Sequence, residues 1–465
     1  MRNLENILKK KILDKRSSIR KKLLSKITYT HILVVSFAVF ILLGTSLLSL
    51  PIATKSGVVT PPLNALFTAT SATCVTGLVI YDTFTHWSLF GQIVILCLIQ
   101  IGGLGFMLLI STFSVFLKRK ISVHEKSLLM QAEGNLKLSG VDTLLKRIIK
   151  GTFIFEGIGA VILSTQFVKE LGLRRGIYYA VFHAVSAFCN AGFDLMGKYQ
   201  RYSSLTYFSD NEVVMLTITA LIIIGGIGFI VWTDVVNQKF KLKKYSLHSK
   251  IVMATTVTLI ILPTVLFLLF EHNNTLQDFN IIDKIINALF LSVSPRTAGF
   301  NSVELSNLTT NSKIITDFLM LIGGSPGSTA GGLKTTTFAV LIISTIATSR
   351  HDARPEIFKR RFTPDALPQA SAIFVVYVGI LLVAVSIICG TESITSTDAI
   401  FECISAIGTV GLSLGVTSTL HGISKLVIIA LMFGGRVGML SLILFLAEKK
   451  VDIQIDRPTE KILIG

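Results

Sequence analysis

The sequence predicts an all-α membrane protein with eight transmembrane helices and four shorter re-entrant helices. Three observations carry this prediction: an apolar composition, eight apolar stretches of spanning length, and four copies of one sequence pattern. Of the 465 residues, 51% are hydrophobic and only 15% are charged, whereas soluble domains carry about 25% charged residues. The composition therefore argues for a chain whose main solvent is lipid, and against a soluble enzyme.

Eight stretches are long and apolar enough to cross a bilayer, which requires about 20 residues. An even number places both termini on the same side. The first stretch is longer than the apolar core of a cleavable signal peptide, so we expect residues 1–28 to stay as a basic cytoplasmic extension. The stretches are residues 31–50, 89–117, 150–168, 213–236, 251–270, 314–347, 367–389 and 422–447.

The positive charges are concentrated in alternate connections between these stretches. The net charge is +17, and 32 of the 44 Lys and Arg residues fall in five short segments. The positive-inside rule places these segments and both termini in the cytoplasm, so the charge does not indicate a nucleic acid partner. The rest of the chain is weakly acidic, which suits a cation at the outer side. The five segments are 1–28, 118–150, 238–250, 348–366 and 448–465.

Four segments between the spans share one pattern. Each has an apolar, Phe-containing stretch of helical length, then small and hydroxyl residues, then a glycine followed by Leu or Phe. These glycines are 115, 107 and 112 residues apart. Each unit is therefore predicted as one helix, a short re-entrant segment and a second helix. The segments are 62–78, 179–193, 286–300 and 399–412, and their glycines are Gly77, Gly192, Gly299 and Gly411.

The second helix of each unit carries a further glycine cluster, about 23 to 33 residues after the first glycine. Paired small residues inside a span usually indicate close helix packing. Two features in register, four times over, indicate four tandem repeats. The clusters begin at Gly102, Gly225, Gly323 and Gly434.

Four repeats in one chain can surround one pseudo-fourfold pore. Non-helical backbone is tolerated at membrane depth only where it is buried in protein or lines water. Glycine allows consecutive carbonyls to turn inward and replace the hydration shell of an ion. Each re-entrant pore helix would also point its partially negative C-terminal end at the pore. Both features favour a cation.

The predicted organisation follows from these repeats. It comprises a basic N-terminus (1–28), pore repeat 1 (29–117), a cytoplasmic linker (118–149), pore repeat 2 (150–237), pore repeat 3 (250–347), pore repeat 4 (366–447) and a cytoplasmic C-terminal tail (448–465).

With one filter-type glycine in each of four helix–pore-loop–helix repeats, the chain resembles the Trk/Ktr/HKT superfamily of potassium transporters over about residues 29–450. Its length, short basic N-terminus and Gly-rich third repeat resemble most the membrane subunit of the bacterial Ktr uptake system. The resemblance implies sodium-assisted potassium uptake through a selective channel-like pore in the bacterial cell membrane. It also implies a homodimer in the lipid bilayer, seated on a cytosolic ring of nucleotide-binding, KtrA-like subunits. No covalent cofactor is expected, and K⁺ or Na⁺ would be the transported or activating ion.

Mapped onto the family pattern, the selectivity filter falls on three residues in each repeat, whose backbone carbonyls would bind K⁺. Glycine at the last position is the only filter residue that all four repeats share. We therefore expect a pore that prefers potassium and rubidium but does not fully exclude sodium. The third segment is one residue shorter, and Pro295 and Arg296 precede its filter. The filter residues are Val75, Thr76, Gly77, Asn190, Ala191, Gly192, Thr297, Ala298, Gly299, Thr409, Val410 and Gly411.

A Gly-rich segment interrupts the second helix of the third repeat. It cannot hold a continuous helix, and we expect a gating loop below the filter, with a structural kink as the alternative. With Lys334 and Thr335 it also looks like a phosphate-binding loop, but Leu333 breaks the spacing and no strand precedes it. The segment is Gly323, Gly324, Ser325, Pro326, Gly327, Ser328, Thr329, Ala330, Gly331 and Gly332.

Arg436 is a charged residue within the last apolar stretch. Such a charge costs roughly 2.5–3.5 kcal/mol, so it usually faces a cavity or a partner. We hypothesise that it lies under the filter beside the Gly-rich loop and restrains cation flux. The alternative is a packed arginine bonded to carbonyls. Lys334 is interpreted as an anchor at the inner end of its helix.

The remaining titratable residues carry weaker signals. His183 is expected to be a packed helix residue. The five cysteines include no C-x-x-C pair, so neither a disulfide framework nor a zinc site is expected, and no catalytic constellation is present. Five acidic residues could attract cations, although solvated loops or helix capping explain most of them: Glu156, Asp194, Glu392, Asp398 and Glu402.

Two other functional classes fit the sequence less well. An alternating-access carrier for a small cation or solute would be favoured by inverted repeats with broken helices, whereas these repeats run in one orientation. A membrane enzyme would need paired acids, a metal site or a nucleophile motif, and the sequence offers none of these.

Overall fold

The computed structural model describes residues 29–105, 141–239, 241–351, 355–439 and 442. The predicted segments 1–28 and 448–465, and most of the segment 118–149, lie outside the described residues. The helices are α1 (Tyr29–Leu48), α2 (Pro62–Thr73), α3 (Thr83–His86), α4 (Leu89–Leu104), α5 (Val141–Leu171), α6 (Leu173–Phe188), α7 (Glu212–Gly226), α8 (Phe229–Gln238), α9 (Leu247–Glu271), α10 (Ile281–Val293), α11 (Thr310–Leu321), α12 (Thr335–Ser349), α13 (Ala366–Thr391), α14 (Ser396–Gly408) and α15 (Gly422–Val437).

The described chain is mostly helical, as the sequence predicts. The regular exceptions are short 3₁₀ turns and one antiparallel ribbon, in which β1 (Glu356–Ile357) pairs with β2 (Arg360–Arg361). The same order of helices recurs along the chain. A long helix (α1, α5, α9, α13) precedes one of the helices that the sequence predicts to be re-entrant (α2, α6, α10, α14). A further apolar helix follows in each case (α4, α7, α11, α15).

Within the described part of the chain, three helices are long and apolar enough to cross a membrane by themselves: Lys146–Leu171 within α5, α9 and α13. The pair α7 and α8 adds a fourth if it is one span, bent by 95°. These long helices carry outward apolar side chains, such as Val161, Leu269 and Val375, which are 67%, 68% and 67% exposed. Exposed apolar stripes on long helices are the surface expected against lipid.

Three of the described apolar helices that follow the predicted re-entrant segments end close to a glycine with a positive φ. Beyond α4, α7 and α15 lie Gly105, Gly228 and Gly438, with φ angles of 77°, 96° and 97°. A positive φ cannot continue a right-handed helix. The glycine clusters, which we expected to mark close packing, therefore also end these helices.

Close packing is present at the same clusters. In three repeats, a glycine of the later helix lies against a carbonyl oxygen at the end of the re-entrant helix, with no room for a Cβ atom. These pairs are Gly102 with Thr73, Gly225 with Phe188, and Gly435 with Ile407. Small residues thus let the two backbones touch.

Candidate functional site

The four glycines singled out by the repeat lie against one another in a closed ring. A Cβ atom built on any of them would approach, to under 3.0 Å, the carbonyl oxygen before the glycine of the next repeat. Four main-chain oxygens, one from each repeat, therefore line the contacts around the ring. The contacts run from Gly77 to Ala191, from Gly192 to Ala298, from Gly299 to Val410 and from Gly411 back to Thr76.

All four segments share an alternating backbone conformation. The glycines have φ angles between 68° and 95°. The residue two positions earlier is also left-handed in every repeat: Val75, Asn190, Thr297 and Thr409, at 57°, 57°, 71° and 51°. Non-glycine residues rarely adopt this region, and its recurrence at four equivalent positions indicates a functional constraint rather than chance strain.

A serine in or directly after each re-entrant helix holds the loop, a feature that sequence reasoning missed. Ser71 Oγ accepts a hydrogen bond from Gly77 N–H, and Ser405 Oγ accepts one from Gly411 N–H, both at 3.1 Å. Ser186 and Ser294 instead donate to the carbonyls of Phe193 and Phe300. The serines precede their glycines by six residues, or by five in the shorter third segment, and this spacing could have revealed them.

A cavity of about 950 Å³ lies on one side of the ring and is lined by all four glycines. Its wall carries the carboxyl groups of Asp194, Asp278 and Glu304 and the guanidinium of Arg201. Asp194 lies in the loop beyond Gly192, outside the spanning helices. Burial, followed by the charge of Asp82, raises the pKa of the Asp194 carboxyl to about 7.

The Gly-rich segment is non-helical between α11 and α12 and contacts two other repeats. Its Ser325 N–H donates to the Gly226 carbonyl at 3.0 Å, and its Gly327 carbonyl accepts from Phe229 N–H at 2.7 Å. Gly331 packs against the Thr409 side chain with no room for a Cβ atom. The segment therefore lies directly beside the fourth ring segment, next to the break between α7 and α8.

Arg436 lies beside this segment, and its side chain is bonded to main-chain carbonyls. Its guanidinium donates to the carbonyls of Thr329, Gly102 and Gly103. Lys334 Nζ donates to the Ala330 carbonyl at 2.7 Å. The last carbonyls of α4 carry partial negative charge, which a guanidinium stabilises.

The five acidic candidates lie in different places. Glu156 is buried and accepts a hydrogen bond from Gln100. Glu392 accepts hydrogen bonds from the backbone and ring of His421. Glu402 is buried behind the fourth ring segment, and Asp398 accepts a hydrogen bond from Thr395 at the start of α14. Asp194 is the one of the five that lines the large cavity.

Arg296 is a buried cation that sequence reasoning noted only as a departure from symmetry. It is 8% exposed, and its Nε has no hydrogen-bond partner among the described residues. It lines a small cavity together with Gly226 and Gly324. The third ring segment thus begins beside a positive charge that the other three lack at this position.

Comparisons with known proteins identify the family of this chain. The family model described as TrkH, cation transport protein, matches residues 7–453. The potassium/sodium uptake protein NtpJ of Enterococcus hirae is 41% identical, covering 96% of this chain and 99% of its own. The Ktr system potassium uptake protein B of Bacillus subtilis is 38% identical, covering 91% of this chain and 94% of its own.

A solved structure shares the fold. The potassium transporter TrkH from Vibrio parahaemolyticus superposes with a TM-score of 0.69, covering 91% of this chain and 86% of its own, at 18% identity. The family match contains all of the described residues, and the members of the family are transport proteins rather than enzymes. This chain belongs to the TrkH family of cation transport proteins.

Proposed function

We propose that this protein is the membrane subunit of a Ktr-type potassium uptake system in the bacterial cell membrane. In this proposal, four helix–pore-loop–helix repeats surround one pore, and K⁺ crosses through the ring of four glycines. The twelve filter residues predicted from the sequence provide the carbonyl ligands. Sequence similarity to potassium uptake proteins over nearly the full chain supports the choice of potassium.

The observation that carries the proposal is the closed ring of glycines. Carbonyl oxygens of Thr76, Ala191, Ala298 and Val410 line its contacts. Such oxygens can replace water around a desolvated monovalent cation. An anion would meet four partially negative oxygens and the C-terminal ends of four helices, so this site favours a cation.

The Gly-rich segment 323–332 and Arg436 form the gate in this proposal. The segment lies beside Thr409 and is tied to Arg436 through Thr329. A positive charge next to the path raises the barrier for a cation. Movement of the segment, carrying or releasing the guanidinium, would open the path.

Sodium and partner subunits complete the proposal. The Enterococcus relative is a potassium/sodium uptake protein, and the Bacillus relative is the potassium uptake protein B of a Ktr system. We therefore assign sodium-dependent uptake to a homodimer, regulated by a cytosolic nucleotide-binding ring of KtrA-like subunits. Both termini would face that ring from the cytoplasm.

Rubidium uptake into cells that lack their own potassium transport tests the pore. Gly77→Ser and Gly192→Ser place a side chain against the neighbouring segment and should let sodium compete more strongly with rubidium. Gly57→Ser is the matched control, because Gly57 also has a positive φ of 70° but has no neighbouring atom within 4 Å of its Cβ position.

The outcome separates the functional classes. Altered competition in the ring variants, with wild-type behaviour of Gly57→Ser at equal membrane abundance, supports a filter. Unchanged competition in single Ser variants of all four ring glycines excludes it. Uptake that saturates and exchanges a bound ion across the membrane, with no effect of the ring variants, would favour a carrier.

A further inference from the structure

Two re-entrant helices hold the backbone beyond their ring glycines with a side chain at the same position of the repeat. His183 Nε2 accepts a hydrogen bond from Leu195 N–H at 3.3 Å. Glu402 Oε1 accepts one from Leu414 N–H, also at 3.3 Å. Each acceptor lies nine residues before its glycine and each donor three residues after it. The register is therefore identical, although the side chains differ.

The histidine is held in one chemical form by its two bonds. Its Nδ1 lies 2.7 Å from the Tyr179 carbonyl, which can only accept. Its Nε2 faces an N–H group, which can only donate. Only the neutral ring with its proton on Nδ1 makes both bonds. The rings of Phe167 and Phe300 pack on it, and Phe300 directly follows the third ring glycine.

The glutamate makes a larger set of bonds to the fourth loop. It is 1% exposed and accepts hydrogen bonds from the hydroxyls of Ser413 and Thr417 as well as from Leu414 N–H. All three donors belong to residues that line the large cavity. An ionised carboxylate has enough lone pairs for all of them, whereas a neutral amide oxygen does not.

The other two repeats lack this bond. The equivalent residue, which follows the phenylalanine of the pattern, is Thr68 in the first repeat and Leu291 in the third. Thr68 donates to the Asn64 carbonyl of its own helix, and Leu291 is an apolar core residue. Since the ring runs from the first to the fourth repeat in order, the second and fourth segments lie opposite each other.

We infer that His183 and Glu402 are positioning residues that brace the ring along one diagonal. They fix the two loops that carry Asp194 and Ser413 at the cavity, while the first and third loops lack this bond. The inference rests on the proposed filter function. A braced diagonal keeps two opposite carbonyls at the spacing that potassium requires, so its loss should admit sodium more readily.

The test measures how strongly sodium inhibits rubidium uptake, alongside membrane abundance and thermal stability. His183→Phe keeps a ring but removes the acceptor, and Glu402→Gln keeps the shape but removes one acceptor oxygen. His183→Gln returns an acceptor at the distance of Nε2. Thr68→Val is the matched control, because it removes a hydroxyl at the equivalent position that bonds only its own helix.

We expect sodium to inhibit at about five- to tenfold lower concentration in His183→Phe and Glu402→Gln, because each leaves a buried donor without its acceptor. His183→Gln and Thr68→Val should behave as wild type. If His183→Phe does not reach the membrane, Glu402→Gln and Thr417→Val, which removes a donor to the same carboxylate, decide the matter.

Wild-type sodium inhibition in His183→Phe and Glu402→Gln at normal membrane abundance would overturn the inference. An equal change of sodium inhibition in Thr68→Val would also overturn it. A purely structural role would lower abundance or thermal stability without altering inhibition, and that result also overturns it. The substitutions of the ring glycines distinguish failure of the proposed filter from failure of the diagonal brace. If Gly77→Ser and Gly192→Ser change selectivity while the positioning variants do not, only the diagonal brace fails.

Discussion

The main-chain carbonyl of Thr329 accepts a hydrogen bond from the guanidinium of Arg436, although 107 residues separate them in the sequence. The same guanidinium reaches the carbonyls of Gly102 and Gly103 at the end of α4. One side chain therefore joins the Gly-rich segment to two other repeats. A shift of that segment must either carry this side chain along or break its bonds.

Arg436→Ala should raise rubidium uptake by up to about tenfold, because it removes a positive charge and a charge-assisted hydrogen bond to the segment. The measurement is the initial rate in potassium-transport-deficient cells, divided by membrane abundance. Arg350→Ala, at the exposed end of α12, is the control and should leave the rate unchanged. An unchanged or lower rate in Arg436→Ala at normal abundance would contradict this prediction.

Gly331 and Thr409 should show strong energetic coupling, because a Cβ atom on Gly331 overlaps the threonine side chain. Gly331→Ala should lower the free energy of unfolding by about 1–3 kcal/mol. Thr409→Ala makes room and should restore part of that loss in the double variant. Thermal unfolding of the four proteins in detergent gives the coupling; additive losses would show that the two residues are not in contact.

Gly102→Ala should destabilise the first repeat, because its Cβ would overlap the Thr73 carbonyl oxygen. Backbone cannot move aside as a flexible side chain can, so we expect a loss of about 1–3 kcal/mol. Gly379→Ala in α13 is the control, since nothing lies within 4 Å of its Cβ position. Equal melting temperatures for the two variants would count against the close contact.

Asp194 should make uptake at low rubidium concentration depend on pH. Burial and the charge of Asp82 raise the pKa of its carboxyl to about 7, so the negative charge is lost as the pH falls through 7. The KM for rubidium should then rise roughly two- to fivefold between pH 8 and pH 6. In Asp194→Asn the KM should be high at both values; a wild-type pH profile in that variant would refute the role.

The repeat could be recognised in the sequence because each copy needs a glycine at a position with a positive φ. Gly77, Gly192, Gly299 and Gly411 all adopt a positive φ and meet in space, and their regular spacing is visible in the chain. Their role as a filter stays a prediction. The helical class followed from composition and is confirmed by the fold shared with TrkH.

The hydrogen-bond partners of side chains were harder to predict from the sequence, because they depend on contacts between distant segments. Nothing near His183 in the sequence indicates that it accepts from Leu195, and nothing near Glu402 indicates that it holds Ser413 rather than facing a cation. The break after α7 was missed because a glycine pair reads equally well as a packing site. Only the φ of Gly228 distinguishes the two.

The ring is closed by four contacts between segments of different sequence, and all four segments belong to one chain. A substitution in a homotetramer is repeated in every subunit, whereas here Gly299 can be replaced while Gly77, Gly192 and Gly411 remain glycine. The ring glycines can therefore be substituted one at a time, and variants with one, two, three or four substituted glycines form a graded series. Such a series would reveal whether selectivity for potassium over sodium declines with each substitution or is lost with the first one.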